Sequence, residues 1–183
     1  MNRRELMSLA VPLMAAAYFA PSLAFSQEAA PQQAARDPYA PTEVAIRNDF
    51  EVGSIVVVSK DFFLYHVIAP GRAVRYGVAV GTDELVWKGR ATVGRKVEWP
   101  SWTPPSDMLR RRPDLPRHMA GGIENPLGAR AMYLGSTLYR IHGSNEPETI
   151  GQAVSSGCFR MTNEDVKDLY DRVSVGATVV VKN

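Results

Sequence analysis

Short apolar runs rich in β-branched and aromatic residues, each closed by glycine or proline, recur along this chain from residue 54 to its end. Such runs are too short and too evenly punctuated for helices and fit strands that pack a shared core. Residues 54–59 and 62–68 read as two strands of a hairpin joined around Lys60-Asp61, with Ala69-Pro70-Gly71 closing the second. Residues 75–81, 86–99 and 176–182 read as further strands, with Gly89 and Gly94 as bends or bulges. Residues 131–142 read as a hairpin turning near Gly135-Ser136. One helix stands out. Thr162 precedes Asn163-Glu164-Asp165, a hydroxyl cap followed by first-turn acids, and Val166, Leu169, Tyr170 and Val173 share one face. A shorter helical turn is expected over 150–154. The expectation is a mainly β domain with one or two helices.

Residues 1–26 read as a signal peptide: Arg3 and Arg4, an apolar stretch over 6–20, and small residues at Ala24-Phe25-Ser26. The arginine pair also resembles the start of a twin-arginine signal. No other stretch is long and apolar enough for a membrane span, so no anchor is expected after cleavage. Residues 27–42 carry few large apolar side chains and read as a flexible leader, leaving 43–183 as one domain. An exported chain meets an oxidising compartment. With Arg3, Arg4 and Glu5 removed from totals of 21 basic and 19 acidic side chains, 19 and 18 remain. That near balance gives no electrostatic case for nucleic acid, and Arg110-Arg111-Arg112 reads as a solvated loop.

The chain has one cysteine, Cys158, in Ser155-Ser156-Gly157-Cys158-Phe159-Arg160-Met161. It has no partner within the chain. It is therefore a buried thiol, an intermolecular disulfide or a nucleophile. A nucleophile needs a base, an anion hole and access. Gly157 permits a tight turn that points the amides of Gly157 and Cys158 at a developing oxyanion. His142, at the end of a strand and followed by Gly143, supplies a base. Arg160 offers a planar fork suited to a carboxylate. Each residue also has a plain structural reading, as a packed thiol, a satisfied imidazole, a surface arginine or a turn serine. Their clustering favours the nucleophile. His66 and His118 read as structural or surface residues. With one cysteine and no paired-ligand spacing, no metal site is expected. Residues 100–128 hold six prolines and little periodicity, and read as a loop packing over a cleft.

Ile141-His142-Gly143 and the run 155–161, with the spacing between them, resemble the active-site signature of bacterial L,D-transpeptidases. Tyr76-Gly77-Val78-Ala79-Val80-Gly81, Trp99-Pro100-Ser101-Trp102 and Gly121-Gly122-Ile123-Glu124-Asn125-Pro126 resemble other stretches of that family, so the likeness runs from about residue 54 to 181. It implies a mainly β sandwich or partly closed barrel with one or two helices and a long capping loop. It further implies Cys158 as acylated nucleophile, His142 as base and Gly143 as the carbonyl orienting it. Ser155, Ser156 and Gly157 would line the site, and Arg160 would meet a stem-peptide carboxylate. Many members carry histidine where this chain has Ser156. The implied reaction needs no cofactor. Cys158 attacks the third residue of a tetrapeptide stem, releases D-alanine and passes the acyl group to an amine, either another stem or an envelope protein, in the periplasm or cell envelope. If water is the acceptor, the chain is an L,D-carboxypeptidase. The remaining alternatives are a non-catalytic peptidoglycan-binding domain and a disulfide-linked dimer.

Overall fold

The computed structural model describes residues 37–183, so the expected signal peptide and the leader up to residue 36 lie outside the described residues. The chain begins with β1 (Thr42–Ala45), β2 (Ile55–Val58), β3 (Phe63–Ala69), β4 (Arg72–Gly77), β5 (Val80–Gly81) and β6 (Gly89–Glu98). Helix α1 (Ser106–Arg111) interrupts the long connection to β7 (Arg130–Leu134) and β8 (Arg140–His142). Then come β9 (Ala153–Ser155), β10 (Phe159–Arg160), helix α2 (Asn163–Arg172) and β11 (Thr178–Lys182).

Nine strands form one sheet in the order β1-β4-β3-β2-β11-β6-β7-β8-β10, and β5 and β9 form a separate parallel pair. The all-β-branched β2 lies between β3 and β11, where both of its faces are covered and Ile55, Val56 and Val57 are buried. Strand β6 joins the two halves. Its first residues pair with β11, the rest with β7, and the register shifts between Val93 and Arg95, across Gly94. Both halves feed one core: Ile55, Val57 and Leu64 from one, Met132, Leu134, Ile141 and Phe159 from the other, with Val166 and Leu169 of α2. Burying each such side chain contributes about 1.5–3 kcal/mol over leaving it in water. The sheet does not close into a barrel, although Ala79, just beyond β4, exchanges two 2.9 Å backbone hydrogen bonds with Arg160 of β10.

Helix α2 starts where the cap predicts: Thr162 Oγ1 accepts from the Asp165 amide at 3.1 Å. Its far end is tied to the sheet by Lys96 Nζ, which donates to the carbonyls of Tyr170 and Val173 at 2.5 and 2.7 Å. Three local expectations shift. The helical turn read over 150–154 is absent. A 3₁₀ turn sits earlier, at Pro147–Thr149, because Gly151 adopts φ 84° and the Gln152 carbonyl accepts from Val80, which commits the next residues to β9. The stretch read as leader up to residue 42 is already packed from Tyr39 onward. Tyr39 packs with its ring 5.7 Å from, and tilted to, that of Phe63, its carbonyl accepts from Gly77, and only glycine leaves room for it at positions 77 and 151. The long connection is less irregular than its prolines suggest. It contains α1, and Trp102 and Met119 pair through two 2.8 Å backbone bonds.

Candidate active site

The site is built on the pairing of β8 with β10. The two strands run parallel, with Phe159 opposite Ile141 and Arg160 opposite His142. Successive side chains on a strand point to opposite faces. Ile141 and Phe159 enter the core, 0% and 2% exposed, so Arg140, His142, Cys158 and Arg160 fall on the other face. All four line one cleft of about 1060 Å³. Trp102, Pro105, Met108 and Leu115 of the 100–128 connection form its opposite wall, as expected of a capping loop. Ser155 and Ser156 also line it, while Gly143 and Gly157 stand behind as backbone supports.

His142 is buried, and its Nδ1 lies 2.6 Å from the Gly143 carbonyl. A carbonyl only accepts, so Nδ1 carries the hydrogen and Nε2 keeps its lone pair. The Gly143 backbone is fixed from both sides. Its amide donates to the Arg130 carbonyl at 3.0 Å, and a Cβ at 143 would collide with Asn163 Oδ1. Asn163 itself accepts from the Ala129 amide at 2.8 Å and donates to the Ser144 carbonyl at 3.0 Å. Burial pushes the His142 pKa down to about 3. The Gly143 carbonyl resists the shift, and the nearby Arg160 and Arg140 charges add to it.

Cys158 follows a tight turn. Ser155 Oγ donates to the Cys158 carbonyl at 2.5 Å and accepts from the Gly157 amide at 3.1 Å. Gly157 has φ 104°, and a Cβ there would lie 2.6 Å from Tyr139 Cε1 and 2.9 Å from the Leu85 carbonyl oxygen. Tyr139 is in turn stacked on Trp87, centroids 5.3 Å apart. This corrects one expectation: the Gly157 amide is turned into the loop toward Ser155 rather than toward an oxyanion. Ser155 is thus a brace for the turn. Cys158 is a free, half-buried thiol whose Sγ lies 3.8 Å from the Leu138 carbonyl. Burial pushes the thiol up, and the charges of Arg140 and then Arg160 pull it back. Burial thus favours the uncharged form of both groups.

Arg160 Nη1 donates to Glu146 at 2.9 Å. Four arginines line the cleft, at 111, 112, 140 and 160, against one carboxylate, Glu146, so the cleft suits anionic ligands. Among the described residues, no three of His, Cys, Asp and Glu converge as a metal would require, and no helix is long and apolar enough to cross a membrane. Sequence reading missed Arg140 and Asn163. Arg140 carried a signal, since two residues before His142 on a strand is the same face. Asn163 carried none, because its partners are 34 and 19 residues away. Of the other histidines, His66 is a buried residue of β3 and His118 bonds Thr103 at the surface.

A family model for the L,D-transpeptidase catalytic domain matches residues 53–181. A Fuscovulum blasticum protein from the ATP synthase subunits region, bearing an L,D-transpeptidase name, is 33% identical over 99% of this chain and 97% of its own length. The Escherichia coli K12 protein ErfK/SrfK, also named as an L,D-transpeptidase, is 45% identical over 49% of this chain and 30% of its own. Among solved structures, L,D-transpeptidase 3 of Mycobacterium tuberculosis superposes with TM-score 0.58 at 17% identity, over 71% of this chain and 60% of that one, and so shares the fold. A Brucella melitensis structure named as a carnitine operon oxidoreductase is 46% identical with TM-score 0.54, over 77% of this chain and 92% of that one.

Proposed function

The chain belongs to the L,D-transpeptidase catalytic-domain family, and from that premise we propose that it is a cysteine acyltransferase of peptidoglycan stem peptides. The observation that carries the reading is the alignment of Cys158 and His142 on one face of two paired strands, at the wall of a cleft rich in arginine. The His142 Nε2 lone pair takes the thiol proton as Sγ attacks the carbonyl carbon of the third stem residue. The carbonyl electrons collect on oxygen, and the Cys158 amide is the proposed donor to that anion. One such donor is worth about 3 kcal/mol of transition-state stabilisation. The anion collapses, the bond to the terminal D-residue breaks, and its nitrogen takes the proton from His142. A thioester remains. An acceptor amine then gives His142 a proton, attacks the thioester and displaces the sulfur.

Arg160, held by Glu146, receives a stem carboxylate, and Ser155 keeps the turn in shape. Ser156 borders the acceptor side in place of an imidazole. The acceptor is a second stem or an envelope protein, and residues 1–26 act as the export signal that brings the chain to the wall. The oxidoreductase name of the Brucella protein belongs to that protein. In the present chain no two glycines stand two apart, as the Gly-x-Gly turn of a dinucleotide site requires. The test is to incubate the mature protein with tetrapeptide-bearing wall material and identify the products by mass. Loss of the terminal D-residue together with a new cross-link is expected, and Cys158→Ala should abolish both. A fully active Cys158→Ala protein ends the reading, and hydrolysis without cross-links makes the chain a carboxypeptidase. A carbapenem should add its mass to the wild type and not to Cys158→Ala.

A further inference from the structure

We propose that Arg140 is the charge partner of Cys158, the cation that holds the sulfur anion once the thiol proton has passed to His142 and again when the thioester sulfur departs. The proposal rests on the reading of Cys158 as the nucleophile and adds a residue to its machinery. The register places it. Arg140 and Cys158 are the residues that immediately precede the paired Ile141 and Phe159, and both line the same cleft.

The charges around the thiol come from every side. Arg140 and His142 lie on β8, Arg160 on β10, and Glu146 follows β8. Arg111 and Arg112 reach the cleft from α1 and the residue after it. These cations are not equivalent. Arg160 is paired with Glu146 and Arg112 with Asp114, and Arg111 is exposed. Arg140 has no carboxylate partner among the described residues, and its Nε is buried without any hydrogen-bond partner. Its guanidinium lies 5.2 Å from the centre of the Tyr133 ring, opposite it on β7. An aromatic ring positions a cation without neutralising it. His142 is cationic only while it holds the transferred proton, whereas the Arg140 guanidinium keeps its charge throughout. Burial alone would keep the sulfur protonated, and Arg140 is the foremost opposing influence.

The test is the pH dependence of Cys158 alkylation by iodoacetamide, a neutral reagent that reads thiolate directly. Arg140→Gln should raise the midpoint by about one pH unit and slow alkylation at neutral pH about tenfold. Arg140→Met, which keeps an apolar stem against Tyr133, should do the same, so that a folding defect in either variant leaves the other to decide. Arg140→Lys keeps the charge and should stay within about threefold of the wild type. In transpeptidation, the neutral variants should lower kcat while KM holds within about twofold. A midpoint unmoved in the neutral variants overturns the proposal. So does a raised KM with the midpoint unmoved, which would make Arg140 a substrate anchor. Failure of the nucleophile reading shows separately, as a carbapenem that leaves no adduct while alkylation still reports the thiol.

Discussion

Asn163→Ala tests whether the active-site loop is held from outside the site. The Asn163 side chain makes two bonds to backbone that no other side chain replaces: Oδ1 accepts from Ala129 and Nδ2 donates to Ser144. Ala129 is 0% exposed, so truncation leaves its amide without partner or water. Stranding a buried donor costs about 1–3 kcal/mol, and losing the bond to the Ser144 carbonyl about 0.5–1.5 kcal/mol more. Alanine at the first turn of α2 returns a few tenths through helix propensity. The net is about 1–4 kcal/mol, which for a domain of this size lowers Tm by about 3–12 °C. The chemistry should suffer as well, because Asn163 packs against Gly143, whose carbonyl fixes the His142 tautomer. Asn163→Asp keeps the acceptor and loses the donor, so it should fall between alanine and wild type. Thermal melting by circular dichroism gives the stability, and the rate of carbapenem acylation gives the effect on the imidazole. A melting point for Asn163→Ala within about 2 °C of the wild type would refute the argument.

Stability should also fall in acid through His142. Its folded pKa, about 3, lies below the ordinary 6.5, so the unfolded chain binds the extra proton. The stabilisation of the neutral ring is intact above pH 6.5 and is lost as pH drops toward 3, by up to about 1.4 kcal/mol per unit. His66, pushed down by burial, adds in the same direction, and Asp165, pushed up by burial, opposes. Urea titrations from pH 7 to 4 should show a slope that shrinks in His142→Gln, and an equal slope in both proteins would contradict the account. Gly157→Ala should cost about 2–4 kcal/mol, from a φ that L-residues avoid and from a Cβ driven into Tyr139 and the Leu85 carbonyl. Melting together with thiol alkylation checks it, and a stable variant with unchanged reactivity would show that the turn tolerates a side chain.

The longer strands were legible because β-branched runs between glycines and prolines leave few alternatives, and α2 because its cap and apolar stripe agree; β1, β9 and β10, of two to four residues, were not. Helix α1 was not, since six residues with none buried carry no stripe to read. The 3₁₀ turn and β9 exchanged places with the expected helical turn for a reason that lies 70 residues away, in the pairing with Val80. Cys158 and His142 could be picked out by residue type. That they share a face depends on a parallel pairing between strands of three and two residues, which no local pattern announces. Gly157 was correctly read as a turn residue, but the direction of its amide was decided by Ser155, two residues earlier.

A pair of strands this short would not hold together alone in water, and what fixes it bears on how the chemistry is tested. The Phe159 and Ile141 side chains anchor it in the core, Met161 donates to the His142 carbonyl at 2.8 Å, and Arg160 is bonded on its other edge to Ala79. None of these contacts uses the Cys158 thiol or the His142 ring. Ser155 holds the turn through the Cys158 carbonyl, which any residue at that position retains. The position of residue 158 is therefore set mainly by backbone and core, and the sulfur adds only its weak contact with the Leu138 carbonyl. Cys158→Ala removes the reactive atom and leaves its address unchanged, so its melting point should match the wild type within about 0.5 kcal/mol of stability. An inactive variant that melts normally then isolates the thiol as the chemical agent.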